Sequence, residues 1–399
     1  MSRGDTRGGH QPGSPVTQSR HVAGFDTSRA TRATVNRRVR DHADVIVDHS
    51  TDVQPGDDVV IRANRGAEPL VTALHEKLGE RNANPIVLSR PGRAQRAFSL
   101  AADPETLETP DHTAALMEAA DVVIAVRGSA NQHESADVPP ERQVALQKLR
   151  KPIQEAVLDT RWVGTQFPHP GTAQKAEMST PAYEEFVYDA VTMDWAEQSA
   201  FQAQMVELLD PAEEVRIVSG DETDVRMSVD GTVAVNDDAR NNLPGGEVFT
   251  APVPDSVEGT VLFDEPVITR GREVTGAKLT FADGEVTAFT ADQNEDALAA
   301  TLAADDGASR LGELGIGMNR AIDQFTYNML FDEKMGDTVH LALGRAYEDN
   351  VPADSPVERN ESSIHLDMIV DMSEDSRIEV DGEVVQRNGT FRFEDGFEQ

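Results

Sequence analysis

The chain has no cysteine among its 399 residues. Disulfides, thiolate zinc sites and cysteine nucleophiles are thereby excluded, and His, Asp and Glu are left as the strong metal ligands. No apolar run approaches the ~20 residues needed to span a bilayer. The opening MSRGDTRGGHQPGSPVTQSR lacks the apolar stretch of a signal peptide, so a cytoplasmic protein is expected. Lysine is scarce: of 36 basic residues only six are Lys, at 77, 148, 151, 175, 278 and 334. The net charge is −35. Eight Arg against Asp5 and Asp26 make the first 40 residues basic, so the other 359 hold 28 basic and 69 acidic side chains, a net of −41. Such a surface repels nucleic acid and anionic membranes. Abundant acid with little Lys also suggests a salt-rich cytoplasm, where screening relieves self-repulsion.

At 38 % hydrophobic residues the chain is globular, with room for two or three domains. Residues 1–35, rich in Gly, Ser, Thr, Arg and Pro, read as a disordered tail. A helix is expected near TRATVNRRVRDHADVIVDHS, with Val35, Val39 and Val45 or Ile46 on one side. Strands at PGDDVVIRAN, NPIVLS and DVVIAVRG alternate with helices at GAEPLVTALHEKLGERNA and HTAALMEAA, which predicts an α/β N-terminal domain with a doubly wound, mainly parallel sheet. No Gly-rich phosphate fingerprint follows any of these strands. One long helix over about 181–209 is expected to link this domain, 36–209, to the next. Period-two alternation then dominates, with Asp-Gly turns at 230–231 and 283–284 marking hairpins. Helical segments are expected at about 294–305 and 317–331. Residues 210–399 are thus a mixed α+β domain with an antiparallel sheet.

The candidate chemistry lies in this second half. In DTVHLALGRAY, His340 shares a face with Thr338, Ala342 and Gly344, small enough to leave room for a ligand. In SSIHLDMI, His365 and Asp367 share one face and Ile364, Leu366 and Met368 the other, with ~6.5–7 Å between same-face residues. A strand histidine alone is more often a satisfied polar residue than a ligand, and Asp367 beside His365 brings the two readings of that pair level. Two glutamates add weight: Glu247 in NNLPGGEVFTAP and Glu313 in LGELGIGMN. A carboxylate in such apolar, Gly-rich settings is costly if buried without a partner or a cation; an exposed turn glutamate is the competing reading. Tyr347, one of four tyrosines, could hydrogen-bond a developing oxyanion or simply pack.

LPGGEVFTAP, LGELGIGMN, HLALGRAY and SSIHLDMI resemble, in order and approximate spacing, the aminopeptidase T and aminopeptidase S family of metallo-aminopeptidases. QPGDDVVIRANRGAEPLVTALHEKLGERNANPIVL resembles that family's opening strand-helix-strand, and the likeness covers roughly residues 35–375. The resemblance implies that Glu247, Glu313, His340, His365 and Asp367 are metal ligands and Tyr347 an active-site tyrosine. It also implies a homodimer acting on peptides with a free N-terminus. QFPHPGTAQKAEMS departs from the family's usual segment. Three carboxylates and two imidazoles suit Zn²⁺, Co²⁺ or Mn²⁺. Five ligands are too many for one open catalytic ion and fit two divalent ions about 3.5–4 Å apart, activating a water and polarising the scissile carbonyl. Which carboxylate bridges, and whether Glu247 or Glu313 also acts as general base, stays open. So do two other functions: a metal-dependent hydrolase of another amide or ester, and a non-catalytic acidic binding protein on the same fold.

Overall fold

The computed structural model describes residues 36–398. The expected tail, and Val35 of the first helix, lie outside them. Four parallel strands open the fold: β1 Asp58–Ala63, β2 Asn84–Ser89, β3 Val122–Arg127 and β4 Arg161–Gln166. The alternation of β1 divides its apolar side chains between two cores. Val59 and Ile61 face one built with Leu70, Leu74 and Leu78 of helix Glu68–Arg81. Val60 faces the other, with Met117, Ile153 and Val157 from helices Asp111–Glu118 and Pro140–Leu158. Burial on both faces is what a parallel sheet under helices requires. RWVGTQ, which forms β4, carries too few aliphatic residues to announce itself as a buried strand.

The chain continues with β5 Glu214–Ser219, β6 Thr223–Ser228, β7 Val235–Asp237, β8 Asn242–Leu243 and β9 Glu247–Thr250. Next come β10 Glu258–Leu262, β11 Val267–Thr269, β12 Arg272–Val274, β13 Lys278–Ala282 and β14 Glu285–Thr290. The last strands are β15 Leu311–Gly317, β16 Thr338–Gly344, β17 His365–Asp371, β18 Ser376–Val380, β19 Glu383–Arg387 and β20 Thr390–Phe391. Two antiparallel sheets, ordered β14-β13-β10-β6-β5-β18-β19-β20 and β17-β16-β15-β9-β7, bury one apolar core between them. Strand β8 joins the parallel sheet beside β4, so the chain returns to its first sheet after β5, β6 and β7 and before β9. No helix among the described residues is long and apolar enough to cross a membrane.

Three local expectations need correction. The single helix over about 181–209 is two helices, Thr180–Val191 and Trp195–Leu209. Asp194 separates them: its carboxylate accepts from the backbone N–H groups of Ala196 and Glu197 and so caps the second. The Asp230-Gly231 turn joins no hairpin, since β6 and β7 on either side of it belong to different sheets, whereas Asp283-Gly284 does join β13 to β14. Residues 317–331 are not a helix. Only Met329–Asp332 is helical there, because buried Asp332 accepts hydrogen bonds from the Thr326 and Asn328 backbone and the Thr326 hydroxyl, holding the segment as a loop.

Candidate metal centre

One face of the sheet β17-β16-β15-β9-β7 is apolar. Val248, Leu314, Ile316, Val339, Leu341, Leu343, Met368 and Val370 all point into the core between the antiparallel sheets. Strand alternation therefore sends their neighbours to the opposite face. Those neighbours are Glu247, Glu313, His340, His365 and Asp367. Register aligns them across the strands: Glu247 opposite Gly317, Gly315 opposite His340, Ala342 between Glu313 and Asp367, and Gly344 opposite His365.

The small residues in this pattern make the space. A Cβ at Gly315 would lie 2.0 Å from His340 Cε1, so the imidazole occupies the volume a side chain would fill. Gly246, at φ +115°, lets the chain approach Asn319 closely just before Glu247; a Cβ there would meet the Asn319 Cβ at 2.4 Å. Gln202, reaching in from helix Trp195–Leu209, donates to the Glu247 carbonyl at 2.9 Å.

The five side chains converge. His340 Nε2 lies 3.0 Å from Glu313 Oε1 and 3.4 Å from Glu247 Oε2. His365 Nε2 lies 3.1 Å from Asp367 Oδ1 and 3.6 Å from Glu313 Oε2. His365 Nδ1 is fixed by the Arg345 carbonyl at 2.8 Å, the kind of contact that orients a metal-binding imidazole. Potential ligand atoms fall into two groups, Glu247/Glu313/His340 and Glu313/His365/Asp367, each within 4.8 Å. Glu313 belongs to both, presenting one carboxylate oxygen to each histidine. At 4 % exposure Glu313 is no turn glutamate at the surface; it lies inside β15, as Glu247, 5 % exposed, lies inside β9.

Three residues that the sequence motifs did not bring forward complete the charge pattern. Lys334 is fully buried. Its ammonium lies 3.0 Å from Glu247 Oε1 and 3.4 Å from Asp237 Oδ2, and also donates to Glu333. The rarity of lysine in this chain was the available signal for Lys334. Three carboxylates, those of Glu247, Asp237 and Glu333, thus surround one buried ammonium. Burial pushes the Glu247 carboxyl up to about 8 against the pull of Lys334. Burial alone would lower His340, but the Glu313 hydrogen bond and the surrounding carboxylates outweigh it and raise it to about 10. His365 is raised to about 9 in the same way, against burial, chiefly by Asp367. The site gathers positive charge onto any group able to carry it. Among the described residues, Glu247 Oε2, Glu313 Oε2 and Asp367 Oδ1 are nevertheless buried without a hydrogen-bond donor. Unpaired carboxylate oxygens aimed at two imidazoles fit divalent cations.

Tyr347 stands at the rim, 38 % exposed, with its ring centroid 4.9 Å from that of His365 and 6.1 Å from that of Phe249. Partial burial of the phenol, then the charges of Glu313, Asp367 and Glu333, push it above the ordinary tyrosine value. It therefore stays protonated, as a hydrogen-bond donor must.

Residues 35–396 match the family described as thermophilic metalloprotease (M29). The chain belongs to that family. It is 28 % identical to aminopeptidase 2 of Geobacillus stearothermophilus, over 88 % of this chain and 97 % of that one. It is 30 % identical to aminopeptidase T of Thermus aquaticus, over 61 % of this chain and 68 % of that one. The solved structure of wild-type AmpT from Thermus thermophilus superposes with a TM-score of 0.79 at 25 % identity, covering 89 % of this chain and 99 % of that one. A 2,5-dihydroxypyridine dioxygenase from Pseudomonas putida shares the fold alone, at TM-score 0.58 and 15 % identity. The fold by itself therefore does not choose the chemistry; the side chains on the polar face of β9, β15, β16 and β17 must.

Proposed function

We propose that this M29 protein is a metal-dependent aminopeptidase that hydrolyses N-terminal residues from peptides, with Glu247, Glu313, His340, His365 and Asp367 as ligands of two divalent cations (Zn²⁺, Co²⁺ or Mn²⁺). The observation that carries this is the double membership of Glu313, whose two oxygens face two separate histidines. That arrangement supports Glu313 as the bridging carboxylate. A cation pair held there would supply Lewis-acid polarisation of the scissile carbonyl and a nucleophile at neutral pH.

The chain's own residues supply the rest. Lys334 fixes the Glu247 carboxylate through Oε1, which leaves Oε2 turned toward His340. Glu333 lies outside both ligand groups, and burial raises its carboxyl; it is the carboxyl assigned here to proton transfer. Tyr347 donates from its hydroxyl to the oxyanion of the tetrahedral intermediate. The remaining carboxylates favour a positively charged α-amine, which supports attack at the N-terminus. Residues 36–209 then serve as an α/β scaffold and 210–399 as the catalytic unit. Low lysine and high acid support work in a salt-rich cytoplasm, and the family resemblance supports a homodimer.

Amino-acid p-nitroanilides tested against their N-acetylated forms decide between this reading and a general amidase or esterase. Turnover of the free-amine substrates alone supports the aminopeptidase. Equal turnover of both overturns it.

A further inference from the structure

The parallel sheet carries a second set of charged side chains with nothing to pair with. Val60 pairs with Val123 in register, so Arg62 at the end of β1 and Arg127 at the end of β3 lie on the same face of the sheet. Leu88 of β2 pairs with Arg62, and Arg90 follows two residues later at the same edge. Arg150 comes from helix Pro140–Leu158, which covers that face. None of these four guanidinium groups makes an ion pair or hydrogen bond among the described residues, in a chain with 71 acidic side chains. Burial first, and then the other arginines, push the Arg62 guanidinium below its ordinary value; Arg90 follows the same pattern with Arg150. Like charges kept together without a counter-charge are costly unless an anion joins them.

The position is informative. The chain runs from β1 outward to β2, then back across to β3 and β4, in the order β2-β1-β3-β4-β8. β1 and β3 therefore flank the switch point of the sheet, and open α/β sheets bind ligands in the crevice at the carboxyl ends of such strands. Beside it, at the carboxyl ends of β3 and β4, opens a cavity of about 210 Å³ lined by Arg127, Ser129, Gln132, Thr172, Asn328 and Lys175, whose ammonium donates to the Tyr327 carbonyl, among others. It holds roughly seven water volumes, enough for a phosphoryl group and part of a sugar-sized carrier. Its lining offers two cations, five hydroxyls and three carboxamides, and includes none of the metal-centre residues.

We propose that the carboxyl-terminal edge of the parallel sheet is a second ligand site, which binds a small phosphoryl-bearing anion between Arg127 and Lys175, with Arg62 adding positive charge behind Arg127. A dianionic phosphoryl group matches several forked guanidinium donors better than a single carboxylate does. The site lies apart from the metal centre and does not depend on the aminopeptidase reading.

The test is calorimetric titration of the full-length, metal-loaded protein in concentrated KCl with adenosine 5′-monophosphate and, separately, inorganic phosphate. Adenosine and succinate are the controls, and K175Q and R127Q the variants. Saturable binding of the phosphoryl compounds is expected, at least tenfold weaker in each variant, with leucyl-p-nitroanilide turnover unchanged. Tighter binding of the nucleotide than of phosphate assigns part of the cavity to a carrier; equal binding assigns the site to the phosphoryl group alone. Undiminished affinity in both variants would put the anion elsewhere, the metal centre included, and overturn the proposal. So would succinate binding as well as phosphate, or the absence of binding by either phosphoryl compound.

Discussion

Lys334 donates from Nζ to Glu247 Oε1 at 3.0 Å, and neither side chain reaches solvent to any useful extent. The ammonium pairs with all three carboxylates of Glu247, Asp237 and Glu333. Replacing it with methionine removes the charge while keeping most of the volume. Breaking a buried pair in this way costs about 3–5 kcal/mol. K334M should therefore lower the denaturant midpoint in concentrated KCl and lose bound metal. A variant with wild-type stability would show that Glu247 needs no such partner.

The double membership of Glu313 makes a stoichiometric prediction. E313Q weakens both ligand groups, whereas D367N removes a ligand from only one. Metal analysis should find E313Q depleted of both ions and D367N retaining one, on Glu247, Glu313 and His340. Equal losses in the two variants would contradict a bridging role for Glu313.

Y347F keeps the ring beside His365 and deletes only the hydroxyl. Loss of one oxyanion donor costs about 10²-fold or more in kcat. Steady-state kinetics should show that loss with KM and metal content little changed. A full-rate Y347F would reduce Tyr347 to a packing residue.

His42 predicts acid sensitivity away from the metal centre. It is fully buried, hydrogen-bonded through Nε2 to the Thr165 hydroxyl at 2.8 Å, and burial lowers its pKa to about 3. The unfolded chain binds a proton near 6.5 and the folded chain does not. Stability is complete above that value and falls as pH drops through the window from 6.5 to 3. At pH 5 the loss is about 2 kcal/mol. Unfolding midpoints at pH 7.5 and 5 should differ less in H42L than in the wild type; identical shifts would put the acid sensitivity elsewhere.

The sequence made the site more legible than the connections around it. His340, His365 and Asp367 sit in strands whose strict alternation separates core from polar face, so their common side could be read directly. Glu247 and Glu313 stood out because burying a carboxylate among Gly and aliphatic residues is costly without compensation. Which carboxylate the two histidines share depends on register between β15, β16 and β17, and that is set by non-local pairing. Lys334 lies in a loop with no periodicity, leaving only its rarity as a signal. The break at Asp194 was missed because the apolar pattern on both sides suits a helix, while the cap depends on one carboxylate. Asp230-Gly231 has hairpin chemistry, yet the chain uses it to leave one sheet for the other.

The most direct test of the central claim is the metal content of the protein in concentrated KCl, read with leucyl-p-nitroanilide hydrolysis before and after chelation, with His365→Ala alongside. Concentrated KCl screens the self-repulsion of a chain with a net charge of −35. The account predicts roughly two bound ions, activity lost to the chelator and to the variant, and recovery with Co²⁺ or Zn²⁺ in the wild type only. Folded protein that binds no metal and turns over no substrate would contradict it.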